Sequence, residues 1–158
     1  MNKKYLTLGS HIREELSEIQ MSIQRAKKAW SLALNEDDSL YLDSVALNLH
    51  NFYNGLERMF ERVAENIDEI KPEGLNWHQE ILKQMAMEIP KVRPAVISQD
   101  LKEELDKYRA FRHIVRNIYA HNFRIVKIKD LMQNIDKVLS ELEKELRIFY
   151  EFLENSET

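Results

Sequence analysis

The sequence predicts an all-α protein, an up-and-down bundle of four to five amphipathic helices. Apolar residues recur with a period near 3.5 through every long segment, and no stretch alternates as a half-buried strand would. Only three Gly and three Pro punctuate 158 residues, too few for the turns of a β-sandwich or a nucleotide-binding α/β fold. Hydrophobic residues make up 44% and charged residues 32%. That is enough apolar matter for one core and too much for a disordered chain.

The first helix is read over Ser10 to Leu34. Its stripe is Ile12, Leu16, Ile19, Ile23, Ala26, Trp30 and Ala33, in alternating steps of four and three. Asn35-Glu36-Asp37-Asp38 breaks the pattern and offers N-cap candidates. A second helix follows over Ser39 to Ile70, with the stripe Leu42, Val45, Leu49, Phe52, Leu56, Met59/Phe60, Val63 and Ile67. Lys71-Pro72-Glu73-Gly74 ends it. Asn76 and Gln79 have the spacing of a capping box for a short third helix bearing Ile81, Leu82, Met85 and Ile89. Pro90 and Pro94 bracket a connector. Ser98 is positioned to cap a fourth helix, with Asp100 in its first turn and Leu101, Leu105, Tyr108, Phe111, Val115 and Ile118 on its apolar face. Asn122 to Lys129 reads as a bend. A fifth helix runs from Asp130 to Leu153 through Leu131, Ile135, Val138, Leu142, Leu146 and Phe149. Short loops between long helices make neighbours antiparallel. All 158 residues read as one domain, with an acidic tail after about Leu153 expected to fray.

The composition excludes several function classes. The chain has no Cys, so disulfide staples, thiolate metal sites and cysteine nucleophiles are impossible. A bundle di-iron site needs Glu-x-x-His pairs, but the residues three before the five His are Leu8, Leu47, Leu75, Ala110 and Ile118. No phosphate-cradling glycine loop occurs. The N-terminal stretch has no apolar core of the kind a signal peptide requires, and no apolar run is long enough to span a membrane. A cytoplasmic protein with no cofactor and no metal is the expectation.

Charge is distributed unevenly. The net charge is −4, yet Lys107 to Lys129 holds seven Lys or Arg, His113 and His121, and no acid. The remaining 16 Lys and Arg face 27 Asp and Glu. Within this segment Arg109 and Arg116 fall at the rim of the apolar face, and Arg112 points nearly into its middle, between Tyr108 and Val115. A buried guanidinium needs a carboxylate or a phosphate. Its partner is therefore Glu57, Glu61 or another acid of the second helix, or else an anion that this chain does not supply. His50 and His78 read as hydrogen-bonded structural histidines.

Arg116-Asn117-Ile118-Tyr119-Ala120-His121 has the form R-x4-H. With the polar Asn117 directly after the Arg, and with the stretches LNLHNFYNGLERMFERVA, WHQEIL, RPAVIS and YRAFRHIVRNIY around it, the chain resembles the HEPN superfamily, and its HepT-like ribonuclease toxins in particular, from about Leu6 to Leu153. The residue types suit RNA cleavage by the substrate's own 2′-hydroxyl. His121 can serve as general acid or base, Arg116 can fork onto phosphate oxygens, and Asn117 can orient the ribose or the imidazole. Arg109, Arg112, Arg124 and Lys127 are the candidate RNA-phosphate contacts. On an ideal helix Arg116 and His121 diverge by about 140°. The resemblance implies that a homodimer resolves this by lining one cleft with two motifs.

The resemblance also implies a nucleotidyltransferase-type antitoxin partner, which in R-x4-H-x-Y relatives adenylylates the Tyr. Here that position is Phe123, so the partner inhibits by binding alone, or another residue such as Tyr119 is the acceptor, or the chain belongs to a different branch. The alternative function is a non-catalytic HEPN subunit that binds a nucleotidyltransferase, nucleotide or RNA.

Overall fold

The computed structural model describes residues 2–117 and 125–156, with side chains described outside 114–126. Five α-helices follow one another: α1 (Lys3–Glu36), α2 (Leu40–Val63) continued by a π-helical turn (Ala64–Asp68), α3 (Trp77–Met85), α4 (Gln99–Asn117) and α5 (Ile125–Asn155). No strand occurs among the described residues; Ile89 and Arg93 form one isolated antiparallel bridge. The all-α bundle read from the sequence is the fold.

Side-chain pairs give the helix directions. Glu15 on α1 meets Arg58 on α2. Gln20 and Lys27 on α1 meet Glu143 and Asp136 on α5. Ser98 at the start of α4 meets Glu145 on α5, and the Tyr108 hydroxyl donates to Leu131 O at 2.7 Å. So α1 runs antiparallel to both α2 and α5, and α4 runs antiparallel to α5. The heptad-like stripes supply the core: Ile12, Ile19 and Ile23 of α1, Phe52, Leu56 and Phe60 of α2, and Ile135, Leu142 and Phe149 of α5 are all buried. Two of the three glycines sit inside helices where neighbours come close. A Cβ on Gly9 would lie 2.7 Å from the Tyr150 ring, and one on Gly55 would lie 3.0 Å from Ile19 Cγ1.

Several boundaries differ from the sequence reading. The first helix begins at Lys3, because Asn2 Oδ1 accepts from the amides of Lys4 and Tyr5. Ser10 lies within the helix and returns its hydroxyl to Leu6 O. The second helix changes at Val63 to a π-turn and stops at Glu69, whose φ is 59°. Asn76 makes no side-chain cap, so the predicted capping box is absent. The third helix stops at Met85, short of Ile89, because its last carbonyls are taken from outside. Arg93 Nη2 donates to Gln84 O, and the amides of Val96 and Ile97 donate to Met85 O. The fifth helix is already formed at Ile125, so Ile125–Lys129 is helix rather than bend; Asn122–Arg124 lie outside the described residues.

Arg93 is the one strongly buried cation of the connector. It sits between Pro90 and Pro94 with its side chain fully covered, and it forks onto Asp68 at 2.6 and 2.8 Å. The same guanidinium reaches Met87 O and Pro94 O, while Gln84 Nε2 donates to Asp68 and to Ile70 O. One buried ion pair thus ties the π-turn, α3 and the connector together. With its lone pairs and N–H groups satisfied, its desolvation cost is offset.

Candidate nucleic-acid interface on helix four

The α4 helix sets the site because its sequence is amphipathic in an unusual way: aromatic residues and arginines share one side. Leu105, Tyr108 and Phe111 are buried, and Tyr108 meets Phe52 of α2 edge-on at 5.4 Å between ring centroids. On the same side Arg112 Nε donates to Asn54 Oδ1 at 2.5 Å, and its Nη2 lies 3.7 Å from Glu57 Oε1. Of the partners weighed from the sequence, the structure places Glu57 against it. Asn54 was not anticipated, since a neutral amide carries no charge signal.

Glu57 is shared. His78 Nδ1 lies 2.6 Å from Glu57 Oε2, and Trp77 stacks on the His78 ring at 3.8 Å. With Nδ1–H donating to the carboxylate, the 3.5 Å approach of Arg112 Nη1 to the same nitrogen is proximity rather than a hydrogen bond. The carboxylate is almost wholly covered, at 4% exposure against 13% for Arg112 and 22% for His78. Burial pushes the Glu57 carboxyl above the usual carboxylate range, and the His78 hydrogen bond and the Arg112 charge pull it part of the way back. The Tyr53 hydroxyl beside this cluster is buried with no hydrogen-bond partner among the described residues, and burial raises it far above an ordinary phenol.

The remaining sequence candidates are dispersed. Arg109 Nε donates to Asp106 Oδ1 at 2.6 Å on its own helix. Lys127 stands exposed on α5, across a groove of about 230 Å³ from Lys107, with Ala110, Phe111 and Leu131 lining it. Arg109 and Arg112 are therefore on the α2 side of α4, and Lys127 is on the α5 side. Arg116 and Asn117 belong to the α4 backbone at its C-terminal end, but their side chains lie outside the described ones. Tyr119, His121, Phe123 and Arg124 lie outside the described residues altogether. Among the described residues no group of His, Asp and Glu is arranged to hold a metal ion, and no helix is long and apolar enough to cross a membrane.

The chain is thus a helical bundle whose fourth helix carries arginines partly satisfied from within and ends at Arg116-Asn117, where the R-x4-H spacing begins. A family model described as HepT-like protein matches residues 44–153. The chain belongs to the HepT-like family of the HEPN superfamily. The matched span begins in α2, so α1 lies outside it. No curated protein and no solved structure matches the chain.

Proposed function

We propose that the chain is a toxin-type, metal-independent endoribonuclease that acts as a homodimer in the cytoplasm. The observation that carries this reading is the Arg116-Asn117-x3-His121 spacing inside the span matched by the HepT-like family. In the proposed reaction the 2′-oxygen of RNA attacks the adjacent phosphorus and the bond from phosphorus to the 5′-oxygen breaks. One base must take the 2′-proton and one acid must protonate the leaving 5′-oxygen. At each of two symmetry-related centres His121 supplies one of those roles and water the other, and Arg116 of the facing chain stabilises the charge that develops on the phosphorane. Asn117 orients the ribose or an imidazole. Arg124 and Lys127 hold flanking phosphates. Arg109 and Arg112 do so only at the expense of Asp106 and Glu57, their partners in the fold. A nucleotidyltransferase-type antitoxin is the proposed partner, with Tyr119 the nearest hydroxyl on the chain now that Phe123 has none.

Purified protein with EDTA present is expected to cleave single-stranded RNA and leave 2′,3′-cyclic phosphate ends. His121→Ala should lower the rate by ~10²–10⁴-fold, the usual worth of a general acid or base. Arg116→Lys should rescue poorly, because an ammonium lacks the planar fork. Retained activity in His121→Ala would remove the motif from the mechanism. A wild-type protein inert on every RNA would leave the non-catalytic subunit as the reading.

A further inference from the structure

A second cationic site lies at the other end of the bundle. The N-terminal turns of α1 and the C-terminal end of α2 enclose a groove of about 270 Å³ lined by Lys3, Lys4, Thr7, His11, Arg62 and Asn66. Every titratable residue of that lining is basic. Of the acids nearby in sequence, Glu15 holds Arg58, Glu61 and Glu65 both hold Lys71, and Glu14 does not line the groove. None of Lys3, Lys4, His11 and Arg62 has an ion-pair partner among the described residues.

The arrangement works against the stability of the empty protein. Lys3 and Lys4 occupy the first turn of α1, which carries no acid, at the end where the helix dipole is positive. Arg62 and His11, both half-buried, face them from across and below. Four cationic or hydrogen-donating side chains converge with no counter-charge in a chain whose net charge is −4. Asn66 belongs to the π-turn, where its amide donates to Arg62 O at 2.8 Å and braces the Arg62 backbone beside the groove. By contrast, the larger groove between α4 and α5, about 450 Å³, presents Asp100, Glu103, Glu104, Glu141 and Glu145 against Lys137 and repels anions.

We propose that the groove between the start of α1 and the end of α2 is a phosphate-binding site. Arg62 forks onto two phosphate oxygens, Lys3 and Lys4 neutralise the charge, and His11 donates through a ring N–H available in either tautomer. The ends of α1 are about 50 Å apart at 1.5 Å per residue, and α1 pairs antiparallel with α5, which puts the Ile125 end of α5 beside the Glu36 end of α1. The groove is therefore remote from the Ile125 end of α5. The phosphates come either from an RNA strand held away from the cleavage point or from a free polyphosphate or nucleotide.

Two probes separate these sources: pyrophosphate, followed by calorimetry, and a labelled 2′-O-methyl oligonucleotide, which cannot be cleaved, followed by fluorescence anisotropy. Wild-type protein should bind pyrophosphate with an affinity that falls as salt rises, and Lys4→Glu combined with Arg62→Glu should weaken it by about tenfold or more. Arg62→Gln, which removes charge without reversing it, should act in the same direction. A parallel loss of oligonucleotide binding assigns the site to RNA; unchanged oligonucleotide binding assigns it to a free phosphate compound. Without ligand, Lys4→Glu should melt higher than wild type, because it replaces a cation with an anion at the positive end of α1. Failure of wild type to bind either probe, or variants that bind both as tightly as wild type, would overturn the proposal.

Discussion

Arg112 shows how one residue's environment sets a measurable stability. Its guanidinium is the full charge set against a carboxylate that is otherwise held only by His78. Removing it leaves Glu57 buried with too little compensation, which costs about 3 kcal/mol at neutral pH, the low end of the range because Arg112 keeps some exposure. The sign of the pH dependence follows from Glu57. Its carboxyl is raised in the folded protein, so folding favours the protonated form. That contribution is complete below the ordinary carboxylate range and is lost as pH rises through the raised value. Arg112→Ala removes an attraction that opposes this rise, so its cost should be large near pH 8 and shrink toward about pH 4. Urea unfolding at the two pH values measures it, and an equal loss at both would exclude Glu57 as the partner. The conflict at Arg112 was legible in the sequence because a charge in the middle of an apolar stripe demands a partner. The partner's identity was narrowed only to the acids of one helix. Arg93 was not legible: between two prolines it reads as connector, and its burial arises from Asp68, 25 positions earlier.

At the scale of elements, the cap of α4 is the joint between it and α5. Ser98 Oγ accepts from the Leu101 amide at 3.1 Å and donates to Glu145 Oε2 at 3.0 Å, and the Ser98 amide also donates to Glu145. Ser98→Ala loses the cap and one inter-helix contact together, and should lower stability by about 1 kcal/mol. Its denaturation midpoint should fall while the slope stays that of wild type; an unchanged midpoint would mean that the amide contact to Glu145 suffices. This cap could be read from Ser98 and Asp100 alone, as could the helical stripes, because period and capping chemistry are local. The π-turn at Ala64–Asp68 and the early stop of α3 could not. Both depend on the Arg93–Asp68 tie, which supplies from a distance the partners that the helix ends lack. The early start of α5 was missed for the opposite reason: Ile125, Val126 and Ile128 suit a helix, but Lys127 and Lys129 beside them continue the basic run of the preceding segment.

At the scale of the whole molecule the proposed ribonuclease turns on how many chains make one reactive centre. Four residues separate Arg116 from His121, and on an ideal helix side chains at that spacing leave about 140° apart. The proposed two-fold dimer would repair this, because an isologous contact can bring the Arg of one chain toward the His of the other. The arrangement makes a prediction that neither light scattering nor a single variant can supply. Arg116→Ala and His121→Ala should each be inactive alone. When the two proteins are unfolded together and refolded as a mixture, half of the dimers are mixed, and each mixed dimer holds one composite centre with an intact Arg116 and an intact His121. Activity should return to roughly a quarter of wild type per chain, given random pairing and two independent centres per dimer. Either single variant mixed instead with a variant that carries both substitutions in one chain should stay inactive, because one of the two side chains is then missing from every chain in the mixture. Recovery in the first mixture places the reactive centre between chains. No recovery, with mixed dimers verified by mass spectrometry, would place Arg116 and His121 of one chain in the same centre and require the segment between them to depart from helical geometry.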